Sequence, residues 1–248
     1  MEVETVEVRF ERCCGIDVHK KKVVACLLTG RKKEIREYGT MTDDIQSLCQ
    51  WLTENQCDVV AMESTGVYWK PIYNLLEERG FKQIVGNARH MKAVPGRKTD
   101  VKDSEWIAEL VRYGLIQASY IPSRAERELR EMVRYRQSLV EERARELNRI
   151  QAVLEGANIK LASVVTDING QSAIAILRAM ANGETDAQRL SALAKGSLTS
   201  KIEELTRALK GSVGEHQQKM IAHQLRHIEC LNNEIADIDE DVKKKQKV

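Results

Sequence analysis

Asp100 and Asp103, three residues apart in the run Lys98-Thr99-Asp100-Val101-Lys102-Asp103, are spaced to share a divalent cation. On a helix that spacing sets both side chains on one face, about one turn apart. Carboxylates held so close repel each other unless a cation compensates them. At a helix start they can also act as simple caps that favour the dipole. Two further acids stand where apolar runs stop: Asp17 after Cys13-Cys14-Gly15-Ile16, and Glu63 after Val59-Val60-Ala61-Met62. Four carboxylates that converge from two strand ends and a helix start can hold two Mg²⁺ (or Mn²⁺) ions. Hard cations take oxygen ligands and complete their shells with substrate phosphates, which suits the activation of water or a hydroxyl in phosphodiester chemistry. Basic residues lie beside the acids: Lys20, Lys21 and Lys22 after Asp17, and Arg89, Lys92, Arg97, Lys98 and Lys102 around Asp100. A phosphate backbone needs such clusters, although a solvated surface carries them too.

The elements that must position these residues are legible in the apolar pattern. The runs ending near Ile16 and spanning Lys22 to Leu28 predict paired strands, with a third near Glu34 to Tyr38. Thr42 can cap a helix over Asp43 to Asn55, whose Ile45, Leu48, Trp51 and Leu52 make one apolar face. The continuous apolar run 58–62 predicts a buried central strand, followed by a helix through Ile72, Leu75 and Leu76 that stops at Gly80, then a strand over Phe81 to Val85. Three strands followed by alternating helix and strand imply an α/β fold with a mixed sheet covered by helices. We assign this domain to residues 1–122.

After Pro122 the pattern changes to all-α, over residues 123–248. No Gly or Pro interrupts Arg124 to Leu154, and apolar residues recur at Leu129, Met132/Val133, Leu139/Val140, Leu147, Ile150 and Leu154. That is one long amphipathic helix. A second is predicted from about Gly214 to Lys245, with Ile221, Leu225, Ile228, Asn232, Ile235 and Val242 at three- and four-residue steps. The pair reads as a coiled-coil hairpin or a dimerising coiled coil, with Asn232 as a register residue or an ordinary polar interruption. Short helices fill an insertion at about 157–211, one of them started by a Ser200/Glu203 capping box.

Composition bounds the class. With 248 residues the chain can bury a real core, and 31% charged against 4% aromatic residues leans toward extended helices. The net charge of +2 does not name a partner, so only the local clusters bear on nucleic acid. No apolar run has the length of a signal peptide or a membrane span, which leads us to expect a cytoplasmic protein with no membrane partner. Cys13, Cys14, Cys26, Cys49, Cys57 and Cys230 include no C-x-x-C pair, and most sit in apolar runs where free cysteine acts as a small hydrophobe.

Weaker candidates have plain alternatives. His223 and His227 could ligate a metal across one helical turn, yet no third ligand lies nearby and a polar stripe that includes His216 explains them as well. Tyr68 and Trp69 could stack on bases or pack their helix on the sheet. Ser64 and Thr65 have no histidine placed to activate them, and a helix cap is the simpler role.

Four motifs together resemble one family. Cys14-Gly15-Ile16-Asp17-Val18-His19-Lys20, Met62-Glu63-Ser64-Thr65-Gly66-Val67-Tyr68, Val85-Gly86-Asn87 and Lys98-Thr99-Asp100-Val101-Lys102-Asp103 are similar, in order and spacing, to the DEDD-type insertion-sequence transposases. That group includes a pilin-gene DNA invertase and recombinases guided by a bridge RNA. The resemblance implies a ribonuclease-H-like, RuvC-type domain followed by an all-α coiled-coil region, with Asp17, Glu63, Asp100 and Asp103 as catalytic Mg²⁺ ligands. It also implies donor and target DNA as partners, a structured noncoding guide RNA, and homodimers or a tetramer built through the long helices. Members continue into a C-terminal domain with a serine nucleophile, and this sequence ends at Lys247-Val248 without it, so a fragment or a shortened relative is expected.

Two rival readings remain open at this level. One is a non-catalytic RNA- or DNA-binding and dimerisation module derived from such a transposase. The other is a sugar-kinase-like or actin-like ATPase, for which Gly15-Ile16-Asp17 would be a phosphate loop; the extra glycines that let backbone amides cradle phosphate are missing.

Overall fold

The computed structural model of the chain describes residues 7–64, 66–94 and 103–246, with Lys92 described by its backbone alone. The chain divides into two compact units, Met1–Ile121 and Pro122–Val248.

The first unit is built on five strands: β1 (Arg12–Val18), β2 (Val23–Thr29), β3 (Lys32–Tyr38), β4 (Val59–Glu63) and β5 (Gln83–Gly86). Their order across the sheet is β3-β2-β1-β4-β5. The first three form an antiparallel meander, while β4 pairs parallel with both β1 and β5. Short turns explain the meander: the His19 amide donates to the Lys22 carbonyl at 2.9 Å, and Gly30 adopts φ +57° between β2 and β3. The parallel steps instead need crossovers, supplied by α1 (Thr42–Glu54) between β3 and β4 and by α2 (Trp69–Glu78) between β4 and β5. This is the mixed α/β sheet covered by helices expected from the strand pattern, and its strand order fits the ribonuclease-H-like domain that the resemblance implies.

Strand alternation sorts the two faces. Cys14, Ile16, Val60 and Met62 point into one core with Ile45, Leu48 and Leu52 of α1 and Ile72 and Leu76 of α2. Cys13, Val59 and Ala61 point the other way, against Trp106, Ile107, Leu110 and Val111 of α4 (Asp103–Arg112). The short α3 (Ala88–Ala93) precedes α4, and Asn87 caps it by accepting from the Arg89 amide at 2.9 Å. Gly15 lies on the α4 side. A Cβ there would fall 2.2 Å from the Ala108 nitrogen and 2.3 Å from the Ser104 carbonyl oxygen, so the helix rests directly on strand backbone.

The second unit pairs α5 (Arg124–Gly156) with α10 (Glu215–Lys245) as a hairpin within the chain. Ser123 and Glu126 close α5 with a capping box. Between the long helices lie α6 (Leu161–Val164), α7 (Gln171–Ala181), α8 (Ala187–Ser191), a 3₁₀ turn (Gly196–Lys201) and α9 (Ile202–Ala208). They share one core with Ile150, Leu154, Ile221 and Ile228, and Leu139, Leu231 and Ile235 form a smaller cluster further along the hairpin. Asn232 joins the two helices: its amide oxygen accepts from Arg143 Nη1 at 2.8 Å. Arg136 and Asp239 form a further cross-helix ion pair.

Two local expectations are corrected. Thr42 is the first residue of α1 rather than its cap; the Asp44 carboxylate instead accepts from the Met41 amide at 3.1 Å. Ser200 does not cap α9 either, because the 3₁₀ turn runs straight into that helix and the Ser200 hydroxyl donates back to the Ser197 carbonyl at 2.8 Å.

Candidate acidic site at the parallel strand ends

The register of the central strands decides where the acids go. Ile16 stands opposite Met62 in the parallel β1–β4 pair, so both strands end at the same edge of the sheet with Asp17 and Glu63 next in line. Each acid is two residues beyond a strand position on the α4 side, Gly15 or Ala61, and alternation turns both toward α4.

Helix α4 runs antiparallel to β1. Its last carbonyl, Arg112, accepts from the Arg9 and Phe10 amides at 2.9 and 3.1 Å; the Ala108 carbonyl faces the Cys13 thiol at 3.6 Å; Ser104 and Ala108 cover Gly15. Continuing that sequence brings Asp103, the first residue of α4, to Asp17. The close approach at Gly15 therefore sets the distance between a strand acid and a helix acid.

Burial pushes the Asp17 carboxyl above its usual range; His19 opposes the shift, while the negative charges of Asp103 and Glu63 add to it. Asp17 Oδ2 lies 2.9 Å from His19 Nε2, and its side chain is 22% exposed. Glu105, in the first turn of α4, pairs with Lys33 at 2.6 Å. The donor set is all carboxylate oxygen, which suits a hard divalent cation in kind. Among the described residues, no three His, Cys, Asp or Glu side chains stand close enough to hold a metal ion. Asp100 lies outside the described residues.

The basic candidates divide in the same way. Lys20 and Lys21 are exposed on the β1–β2 turn; Lys22 beside them pairs with Glu37 at 3.1 Å, and Arg89 is exposed on α3. Arg97, Lys98 and Lys102, like the Lys92 side chain, fall outside the described residues. His19 was part of the first motif without a role of its own. The signal that could have found it is its place two residues after Asp17, on the same side of the chain.

The weaker candidates resolve as follows. Trp69 is buried, edge-on to Tyr73 with ring centroids 5.6 Å apart, whereas Tyr68 is 45% exposed. Ser64 is tied by its backbone amide to the Gly86 carbonyl at 3.0 Å, and Thr65 lies outside the described residues. His223 faces Arg226 at 2.8 Å, and His227 Nδ1 faces Glu146 of α5 at 3.1 Å, a polar stripe in the hairpin. Burial pushes the thiols of Cys13, Cys26 and Cys57 up to about 11, 12 and 12, which leaves them as unreactive packing groups. No helix among the described residues is long and apolar enough to cross a membrane.

Comparison with known proteins adds three findings. The model of the IS110 transposase family of the DEDD type matches residues 14–159, more than half of the chain. No curated protein matches it. A crystal structure of Fowlpox virus resolvase in complex with substrate Holliday junction DNA is similar at 19% identity and a TM-score of 0.26. That match covers 36% of this chain and 65% of the resolvase, so the chain spans less than two thirds of the length it is compared with. At that score the likeness carries no weight, and the fold rests on the strand order above.

Proposed function

Because this chain belongs to the IS110 transposase family of the DEDD type, we propose that it acts in DNA transposition or site-specific recombination, with a divalent-cation nuclease centre at Asp17, Glu63, Asp100 and Asp103. The observation that carries this reading is geometric: the parallel β1–β4 register ends two strands together at Asp17 and Glu63, and α4, whose first residue is Asp103, rests on β1 at Gly15. Mg²⁺ or Mn²⁺ would be held by those four side chains and would supply a polarised water or hydroxyl and charge compensation for phosphodiester cleavage. The residues of the chain have distinct parts in this. Gly15 lets α4 approach so that the helix acid faces the strand acids. His19 holds a proton at Nε2 against Asp17 and orients that carboxylate. Lys20 and Lys21, exposed beside the acids, bind backbone phosphates of donor or target DNA. A structured noncoding RNA as guide, and assembly into homodimers or a tetramer through the long helices, follow from the family resemblance.

The test is Mn²⁺ titration followed by a nicking assay on linear and branched DNA. The expected result is divalent binding that Asp17→Asn abolishes together with nicking; metal binding that survives in that variant would remove the assignment. A second reading, a non-catalytic nucleic-acid-binding and dimerisation module, is favoured by one observation: no three metal-ligating side chains cluster among the described residues. Strongly salt-dependent binding without any Mg²⁺-dependent nicking would select it.

A further inference from the structure

The end of the sheet that carries Asp17 also has a cavity on the opposite face. It has a volume of about 250 Å³ and opens between the β1–β2 turn, the loop before α1 and the loop that leads from β4 into α2. Buried Ile45 and Ile72 close its inner end, Val67, Tyr68 and Pro71 form a wall, and His19 and Lys20 stand at the rim. Val67 and Tyr68 are 60% and 45% exposed, so a large apolar side chain and an aromatic ring face solvent beside a cationic edge. His19 belongs to both places, since it lines the cavity while its Nε2 lies 2.9 Å from Asp17.

We propose that this cavity receives one unstacked nucleobase of a nucleic-acid strand whose neighbouring phosphate lies at the acidic site. The inference rests on the nucleic-acid reading of that site and adds a base-binding position to it. Three features argue for this occupant. The volume is below the range of roughly 300–1,000 Å³ that drug-sized ligands occupy, which leaves room for a single heterocycle. An aromatic wall suits any base, because every base presents a π-face. The exposed Lys20, with Lys21 next to it, complements the phosphates on either side of the base, a match that a neutral apolar peptide would not use. One side chain, His19, lines the cavity and also lies 2.9 Å from Asp17, so the two places adjoin. Tyr68 stacks on the base, Ile45 and Ile72 close behind it, and Lys20 holds the phosphate.

The experiment uses the full chain in EDTA, so that strand cleavage plays no part. A set of single-stranded oligonucleotides, each with one abasic position, is titrated against wild type, Tyr68→Phe and Tyr68→Ala. The expected result is one position at which loss of the base weakens wild-type binding roughly five- to hundredfold, a loss that Tyr68→Ala reproduces with the intact strand. Tyr68→Phe should keep wild-type affinity, and Tyr68→Ala should lose nothing more on the abasic strand. Equal thermal melting of the three proteins checks the fold. Salt-dependent binding that ignores both Tyr68 and every abasic position overturns the cavity assignment alone. Absence of any salt-dependent strand binding overturns the acidic-site reading along with it. A smaller sedimenting species for Tyr68→Ala than for wild type, with base-independent binding, would give the cavity to a second copy of the chain and overturn the assignment.

Discussion

Gly15→Ala is the sharpest test of how the acids are brought together. The added Cβ would sit 2.2 Å from the Ala108 nitrogen and 2.3 Å from the Ser104 carbonyl oxygen, where ordinary van der Waals contact begins at 3.4 Å. The deficit at the closer atom is 1.2 Å, and both obstacles are backbone, so no rotamer change relieves it. Either α4 lifts from β1 by about that distance or the strand bends. Overpacking of this kind costs about 1–3 kcal/mol. For a unit of this size that should lower Tm by about 4–12 °C. The displacement also moves Asp103 away from Asp17, and perturbing the groups that position a metal site costs about 10–100-fold in metal affinity. Urea unfolding and Mn²⁺ titration of the same variant give both numbers. A Gly15→Ala protein as stable as wild type, with unchanged cation affinity, would refute the claim that this contact sets the acid–acid distance.

Other predictions follow from particular contacts. In EDTA at neutral pH, Asp17→Asn should raise stability, because it removes a charge that burial disfavours, with Asp103 and Glu63 adding to that effect and His19 opposing it; a destabilised variant in urea unfolding would contradict that electrostatic picture. The hydrogen bond and charge of Arg136 hold Asp239 below its ordinary range, so this pair stabilises the helical unit above the unfolded-state aspartate pKa and is lost as pH falls through the lowered folded value. The stability gap between wild type and Arg136→Met should therefore shrink as pH is lowered from 7 toward 3, and a gap independent of pH would sink the assignment. Of the six cysteines, exposed Cys230 should react rapidly with a thiol reagent at neutral pH, while Cys13, Cys14, Cys26 and Cys49 react only after denaturation; fast labelling of several thiols in the native protein would show that the sheet core opens.

What was legible in the sequence was what local periodicity encodes. Apolar runs that stop at Asp17 and Glu63 marked two strands and where they end, and the uninterrupted stretch from Arg124 marked α5 to within two residues of its observed end. Periodicity does not encode which atoms an element meets. Asp44 rather than Thr42 secures the start of α1, because capping depends on the φ and ψ of the preceding residue as well as on residue type. Ser200 and Glu203 have capping-box spacing, but a 3₁₀ turn had already consumed Ser200. Asn232 could equally have paired with a second chain; only the position of Arg143, 89 residues away, assigns it to the hairpin.

The acidic site shows the same division between local signal and tertiary cause. Its residue types could be picked out one at a time, since each acid ends an apolar run or starts a helix. What makes them a group is the combination of a parallel β1–β4 register, which puts two strand ends on one edge, and an antiparallel helix that reaches this edge at its first residue. Neither relation has a sequence signature of its own, but the second depends on Gly15, where any side chain would hold α4 off the strand. The glycine two residues before the first acid is thus as much a part of the site as the carboxylates, because it allows charges that repel one another to be held together by packing. On the proposed reading a divalent cation would offset the repulsion that His19 only partly relieves at Asp17, and so Mg²⁺ or Mn²⁺ should stabilise the sheet unit against unfolding; a Tm indifferent to either ion would count against the proposed site.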